Sequence, residues 1–372
     1  MRNYNIDISR SIIMLFIVIW HAIVHGIAIS KSVDLKNLSY TEIGNYGIVQ
    51  LLAYLTSISV NCFVLISGYF SINSQRVNYD RIIKIWLQTF FYSFIIYLLL
   101  AGCGIIPFKV VYFLQTIIPV TTLQYWFITC YIPLMLIAPF ISKMMASNSK
   151  KSNTKLLLIL SFFTLTFFTM NKTGFPLGYI NTRGNNFIWF IYLFIVGGYI
   201  RKYEPFIQKT KLLSYLFVIL LLLFSIKSTV NHLTTGVETF YAIHNNGITF
   251  IFSVLSFLII KNIRLNTNNV INKTLIKIAP YTFGVYLIHD NISMRNILWY
   301  RNLFQFENHF NTYYFIPYLL AIGILIFSMC VAIDKMRSLL FKALQVDKGI
   351  TLTRIKLSET FNRFYYQLIE HK

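Results

Sequence analysis

The sequence predicts an all-α, polytopic membrane protein, and three observations lead there: the composition, a set of long apolar runs, and the way Lys and Arg alternate between the gaps. The 372 residues are 56% hydrophobic and include 34 Phe and 25 Tyr, and the mean hydropathy is +0.61. A water-facing domain has no use for that much apolar surface, and a chain this apolar is not disordered. The net charge of +21 comes from 33 Lys and Arg against 12 Asp and Glu. These charges lie between apolar runs rather than in one patch, so they read as topology and as affinity for anionic lipid, not as a nucleic-acid surface.

A helix needs about 20 apolar residues to cross roughly 30 Å of hydrocarbon. Ten runs approach that length, at 11–29, 48–72, 82–106, 123–145, 156–170, 186–200, 212–230, 247–260, 275–298 and 313–333. Their basic flanks alternate. The first follows Arg2 and Arg10, the third opens at Arg81 and Lys84, and the fifth follows Lys150, Lys151 and Lys155. The sixth closes on Arg201 and Lys202, the eighth on Lys261 and Arg264, and the tenth on Lys335 and Arg337. Only Lys31, Lys36, Lys109, Lys172, Arg183, Lys227, Arg295 and Arg301 fall in the opposite gaps. This asymmetry predicts ten crossings with both termini on the cytoplasmic side.

The first run follows basic residues as a secretory signal would, but it is long, holds two histidines and lacks a small-residue cleavage pattern, so it is expected to stay as a helix. Residues 1–335 form one transmembrane domain. Residues 336–372 mix apolar and basic side chains and are expected to lie as a tail along the inner membrane surface. Cys62, Cys103, Cys130 and Cys330 each lie in or at the end of an apolar run without CxxC spacing, which indicates neither a disulfide framework nor a zinc site.

Ionisable groups at membrane depth are costly, so each is a functional candidate. On a helical wheel Asp7, Arg10, His21 and His25 fall within about 60° of one another. Arg10 sits at the inner boundary, and His21 is about 16 Å further along, near mid-membrane. Hydrogen bonding to a neighbouring helix would also account for the two histidines. A metal site is not expected, because Ala22, Ile23 and Val24 separate them and the Glu of an HExxH motif is absent. An imidazole held neutral in a low dielectric is available to take a proton from a hydroxyl.

The second run ends in a Ser67-Gly68 pair, which reads either as close helix packing or as part of a site. Arg81 and Lys84, at i and i+3, suit phosphate binding on the inner side, or serve as ordinary anchors. His289 and Asp290, near the outer end of the ninth run, lie at a depth the first-helix histidines can reach, although helix capping would also explain them. Tyr125 and Trp126 open the fourth run as interfacial aromatics do. His232, His244 and His309 are placed in outer loops with no special role.

Together these pieces resemble the membrane-bound acyltransferase 3 family, ten-helix enzymes that O-acylate glycans and other acceptors. The resemblance rests on Ile6-Asp7-Ile8-Ser9-Arg10, the ten residues between Arg10 and His21, Ser67-Gly68-Tyr69, Tyr125-Trp126-Phe127 with Pro139, and Tyr286-Leu-Ile-His289. It spans about residues 5 to 335. The family's inner-side Arg-x-x-Arg reads Arg81-Ile-Ile-Lys84 here, so the second position keeps its charge but loses the guanidinium fork.

The resemblance implies transfer of an acyl group, acetyl in the first instance, from acyl-CoA at the cytoplasmic face to a hydroxyl of a cell-surface or lipid-linked polysaccharide in a bacterial plasma membrane. His21 then acts as general base or as a transient acyl carrier. Arg10 and Asp7 order the inner mouth, Arg81, Lys84 and Ser67 serve the donor, and His25, His289 and Trp126 stand near the acceptor or behind the base. Tyr125, Trp126, Trp189 and Trp299 are candidates for stacking on sugar. The competing readings are a glycan transporter or flippase, which would tolerate loss of His21, and a polymerase, which would need a longer outer loop.

Overall fold

The computed structural model describes residues 4–27, 38–165, 185–203, 210–235, 244–263, 265–267, 269–301 and 303–356. Among them every regular element is helical. The basic residues Arg2, Lys31, Lys36, Lys172, Arg183, Lys209 and Arg264, the ends of the first and fifth runs, and 357–372 of the expected tail lie outside the described residues.

Among the described residues, six helices are long and apolar enough to cross a membrane: Tyr4–Gly26, Tyr40–Ser71, Tyr79–Gly102, Trp126–Ser147, Thr210–Thr235 and Phe315–Ala343. Much of their apolar surface faces outward. Thr210–Thr235, for instance, exposes Leu216, Ile219, Leu223 and Ile226, an outer surface suited to lipid rather than water. Three other apolar runs form shorter helices, Lys150–Thr164, Phe187–Tyr203 and Gly247–Asn262.

The run at 275–298 departs from expectation, because it is not one helix. It divides into Val270–Ile278, a 3₁₀ turn at Ala279–Tyr281, Thr282–His289, Ile292–Arg295 and a widened π turn at Asn296–Tyr300. Two residues explain the breaks. Pro280 has no N–H to continue the α-helical ladder, and the Asn291 side chain accepts from the Ser293 and Met294 amides, starting a new helix directly after Asp290. The last long helix runs through residue 335 to Ala343, so the expected domain boundary falls within a helix.

We label Tyr4–His21 α1, Ser59–Ser71 α2, Trp126–Ser147 α3, Phe187–Tyr203 α4, Thr282–His289 α5 and Phe315–Ala343 α6. α1 passes directly into a π turn, Ala22–Gly26. The segment 270–300 runs parallel to it. Ser11 Oγ donates to the Leu275 carbonyl at 2.8 Å, His21 meets His289 at 3.0 Å and His25 meets Tyr300 at 3.0 Å.

Two contacts fix the bundle around this pair. α2 and α4 cross backbone to backbone: a Cβ on Gly68 would strike the Phe194 backbone, and one on Gly197 would strike that of Leu65. The small-residue reading of Gly68 is therefore realised. At the other side, Asp334 of α6 is fully buried and accepts from Arg337 at 2.8 and 2.9 Å, from Tyr92 at 2.7 Å and from Gln88 at 3.1 Å. Gly284 of α5 lies against this carboxylate with no room for a Cβ. A buried charge with every partner in place locks α5 to its neighbours.

Two apolar clusters make up the interior, and Phe63, Ile85 and Phe127 pack against both. The same three residues line the cavity described next.

Candidate active site

The cavity has a volume of about 310 Å³. His21 lies on its wall toward one end of α1, Arg10 and Arg81 lie on it toward the other, and Phe63, Trp126, Phe127 and Phe283 add aromatic rings to a mostly apolar wall. Eleven positions separate Arg10 from His21, about 16 Å along the helix. The site is thus a long slot with cations at one end and an imidazole at the other.

The hydrogen bonds of His21 decide which of its nitrogens keeps a free lone pair. His289 Nδ1 lies 2.6 Å from the Val285 carbonyl, which can only accept, so this nitrogen carries the proton and His289 Nε2 does not. His21 Nδ1 is 3.0 Å from His289 Nε2 and must therefore donate to it. The lone pair of His21 is left on Nε2. Asp290 Oδ1 stands 3.5 Å from the same Nδ1, and Arg295 holds this carboxylate at 2.8 Å through Nη2 and 3.0 Å through Nε. When Nε2 takes a proton, a buried carboxylate is already in place beside the new imidazolium, the arrangement that orients and supports a histidine base.

The other expected residues fall into place unevenly. Asp7 faces Arg10 at 3.8 Å. His25 lies tilted against His21 with ring centroids 5.3 Å apart and meets the Tyr300 hydroxyl, so it stands beside His21. Ser67 lines the cavity, donates to the Phe63 carbonyl at 3.0 Å and shares a 2.9 Å hydrogen bond with the Tyr131 hydroxyl, which also accepts from Arg81 at 3.4 Å. Lys84 is set apart from this group. It pairs with Asp347 at 2.7 Å near the surface and is not part of the cavity wall.

Trp126 lines the cavity and stacks on His244, with centroids 5.6 Å apart and planes 21° from parallel. Tyr125, Trp189 and Trp299 are no more than 2% exposed. Closed packing leaves none of the three a free face for a sugar, and Trp189 spends its N–H on Asn61 at 3.0 Å. Two histidines assigned to outer loops are in fact buried. His244 lies under Trp126, and His232 sits inside Thr210–Thr235, stacked on Tyr46 at 4.8 Å. An aromatic neighbour supplies a flat apolar partner for each ring, which a polar-loop reading does not anticipate.

Sequence reasoning missed Tyr131, Arg295 and Asp334. Arg295 had a usable signal, since it follows Asp290 by five residues across a break. Tyr131 had none, because it looks like an ordinary member of an apolar helix, and Asp334, just past the end of the tenth run, looked like the start of the tail.

The bundle thus has an apolar outer surface suited to a membrane and holds a slot with two arginines toward one end and a hydrogen-bonded histidine toward the other. A family model described as an acyltransferase domain matches residues 3–336, and the chain belongs to the acyltransferase 3 family. It is a membrane acyltransferase. No curated protein matches the chain. No solved structure matches it either.

Proposed function

We propose that the protein transfers an acetyl group from cytoplasmic acetyl-CoA to a hydroxyl of a cell-surface or lipid-linked polysaccharide at a bacterial plasma membrane. The observation that carries this reading is the slot itself, with Arg10 and Arg81 at its mouth and His21 at its end. A donor that fits has a multiply anionic head, a long neutral arm and a reactive carbonyl at the tip. A coenzyme A thioester has that shape. The arginines hold its phosphates through charge-assisted hydrogen bonds, with Asp7 and Tyr131 keeping the two guanidinium groups in place.

His21 Nε2 removes the proton from the acceptor hydroxyl as its oxygen attacks the thioester carbonyl. The tetrahedral intermediate collapses, the C–S bond breaks, and the proton on Nε2 passes to the departing sulfur. The products are an ester and coenzyme A as its free thiol. Asp290 and His289 act through His21: one balances the imidazolium and the other fixes its tautomer.

All ten apolar helical segments cross the membrane in this reading, with both termini cytoplasmic. The parallel course of α1 and the segment 270–300 supports it, because first and ninth crossings run in the same direction. The mouth at Arg10 then faces the cytoplasm, where acyl-CoA is made.

The test is His21→Ala in purified protein reconstituted into lipid vesicles, with release of coenzyme A thiol and ester formation both followed. We expect transfer to fall by at least about 10²-fold, the scale of a general base, with unchanged protein in the membrane. Ester formation at the wild-type rate would defeat the reading.

A further inference from the structure

A second cavity, of about 300 Å³, lies on the other side of the broken helix from the slot. Asn291 and Asn296, which directly follow the His289-Asp290 pair, form part of its wall with Ser93, Tyr112, Gln115 and Arg301. Tyr300, at the end of the same stretch, meets His25 of the turn that follows α1. Its volume is at the lower end of small-molecule pockets, roughly 300 to 1,000 Å³.

The lining chemistry is specific. The Asn291 amide is taken up by Ser293, Met294 and Tyr125, while the Gln115 and Asn296 amides offer donors and acceptors, and no Asp or Glu belongs to the wall. The Tyr112 ring is half exposed, with Lys109 Nζ 5.4 Å from its centroid. Arg301 makes no ion pair with any described residue, in a wall that has no carboxylate to answer it.

Only a thin layer separates this cleft from the slot. Asn291 donates to the Tyr125 hydroxyl at 2.8 Å, and Tyr125 packs edge-on against Tyr286, a wall residue of the slot, at 5.9 Å. A molecule in the cleft lies one residue from Asp290, which faces the base.

We propose that this cleft binds one sugar unit of the acceptor, and that Arg301 selects a unit carrying an acidic group. The inference rests on the acyl-transfer reading and adds the acceptor's place and chemical class. The Gln115 and Asn296 amides pair with sugar hydroxyls, the Tyr112 face takes the ring, and the guanidinium takes a carboxylate or phosphate oxygen. The acid is either a uronate or a phosphodiester, and the experiment separates the two.

The full-length protein in lipid vesicles is given acetyl-CoA and three acceptor oligosaccharides, one neutral, one containing uronate and one containing phosphodiester, and thiol release is followed. We expect one acidic acceptor to have a KM at least tenfold below that of the neutral one. Arg301→Gln should raise that KM at least tenfold, change the neutral acceptor's KM less than twofold and leave the KM for acetyl-CoA in place. Tyr112→Ala should raise KM for all three acceptors. Arg301 and Tyr112 are both exposed, so neither change threatens the fold. Equal KM values for acidic and neutral acceptors, or an Arg301→Gln effect below twofold on the acidic one, would overturn the inference while acyl transfer stood. Absence of thiol release from the wild type with every acceptor would overturn both. A cleft filled instead by lipid tails predicts no change in any acceptor KM on Arg301→Gln.

Discussion

At the scale of single residues, the proposed mechanism rests partly on side chains that act through His21. His289 fixes the proton on His21 Nδ1, so His289→Ala should lower kcat by about 10- to 100-fold, the usual cost of losing an orienting partner, with little change in either KM. Steady-state kinetics on both substrates would check this split. A fall confined to KM would show that His289 binds rather than orients. Arg81 and Lys84 make a second comparison. Arg81 lines the slot, whereas Lys84 is half exposed and paired with Asp347, an arrangement worth no more than about 1 kcal/mol. Arg81→Gln should raise the KM for acetyl-CoA at least tenfold, and Lys84→Gln should move it far less. Equal effects would return Lys84 to the donor site.

Whole elements are held by contacts that leave no slack. Gly68→Ala inserts a methyl group where α2 meets the Phe194 backbone, and forcing two helices apart costs about 1 to 3 kcal/mol or more. We expect less folded protein, measured as the yield of monodisperse material in detergent. Ser67→Ala, one residue away, should spare that yield and act on donor binding alone. Asp334→Asn leaves Arg337 buried without its counter-charge, a loss of about 3 to 5 kcal/mol, and should lower the unfolding temperature by a similarly large margin. These two devices differ in how legible they were. Ser67-Gly68 was visible as a small-residue pair, although its partner Gly197 was not. Asp334 sat at the edge of an apolar run and looked like the start of a tail, because nothing in one helix tells which carboxylate its neighbours will enclose.

For the molecule as a whole, most of the helical plan could be read from hydropathy and basic flanks, since those patterns record where each stretch meets lipid and water. The single polar face of α1 also led to the base, because an imidazole is conspicuous in an apolar run. What one-dimensional patterns left out was the break at Pro280 and Asn291, which replaces a continuous ninth helix with a hinge-like series of turns and brings Arg295 back onto Asp290. Among the described residues, six helices meet the length and hydropathy needed to cross unaided. If all ten runs cross, reporter tags at the two ends should be protected or exposed together in right-side-out and inverted vesicles. Opposite accessibility would require an odd number of crossings.

The Asn291–Tyr125–Tyr286 layer also bears on the energetics of the host cell. In the proposed reading the two cavities face opposite sides of the membrane and this layer stands between most of their length, so the acyl group changes sides at His21 while bulk solvent and ions stay on their own. The work of export would then come from thioester cleavage alone, and the proton-motive force would be left untouched. Vesicles holding the protein should keep an imposed proton gradient as long as empty ones, and Tyr125→Ala, which thins that layer, should make them leak.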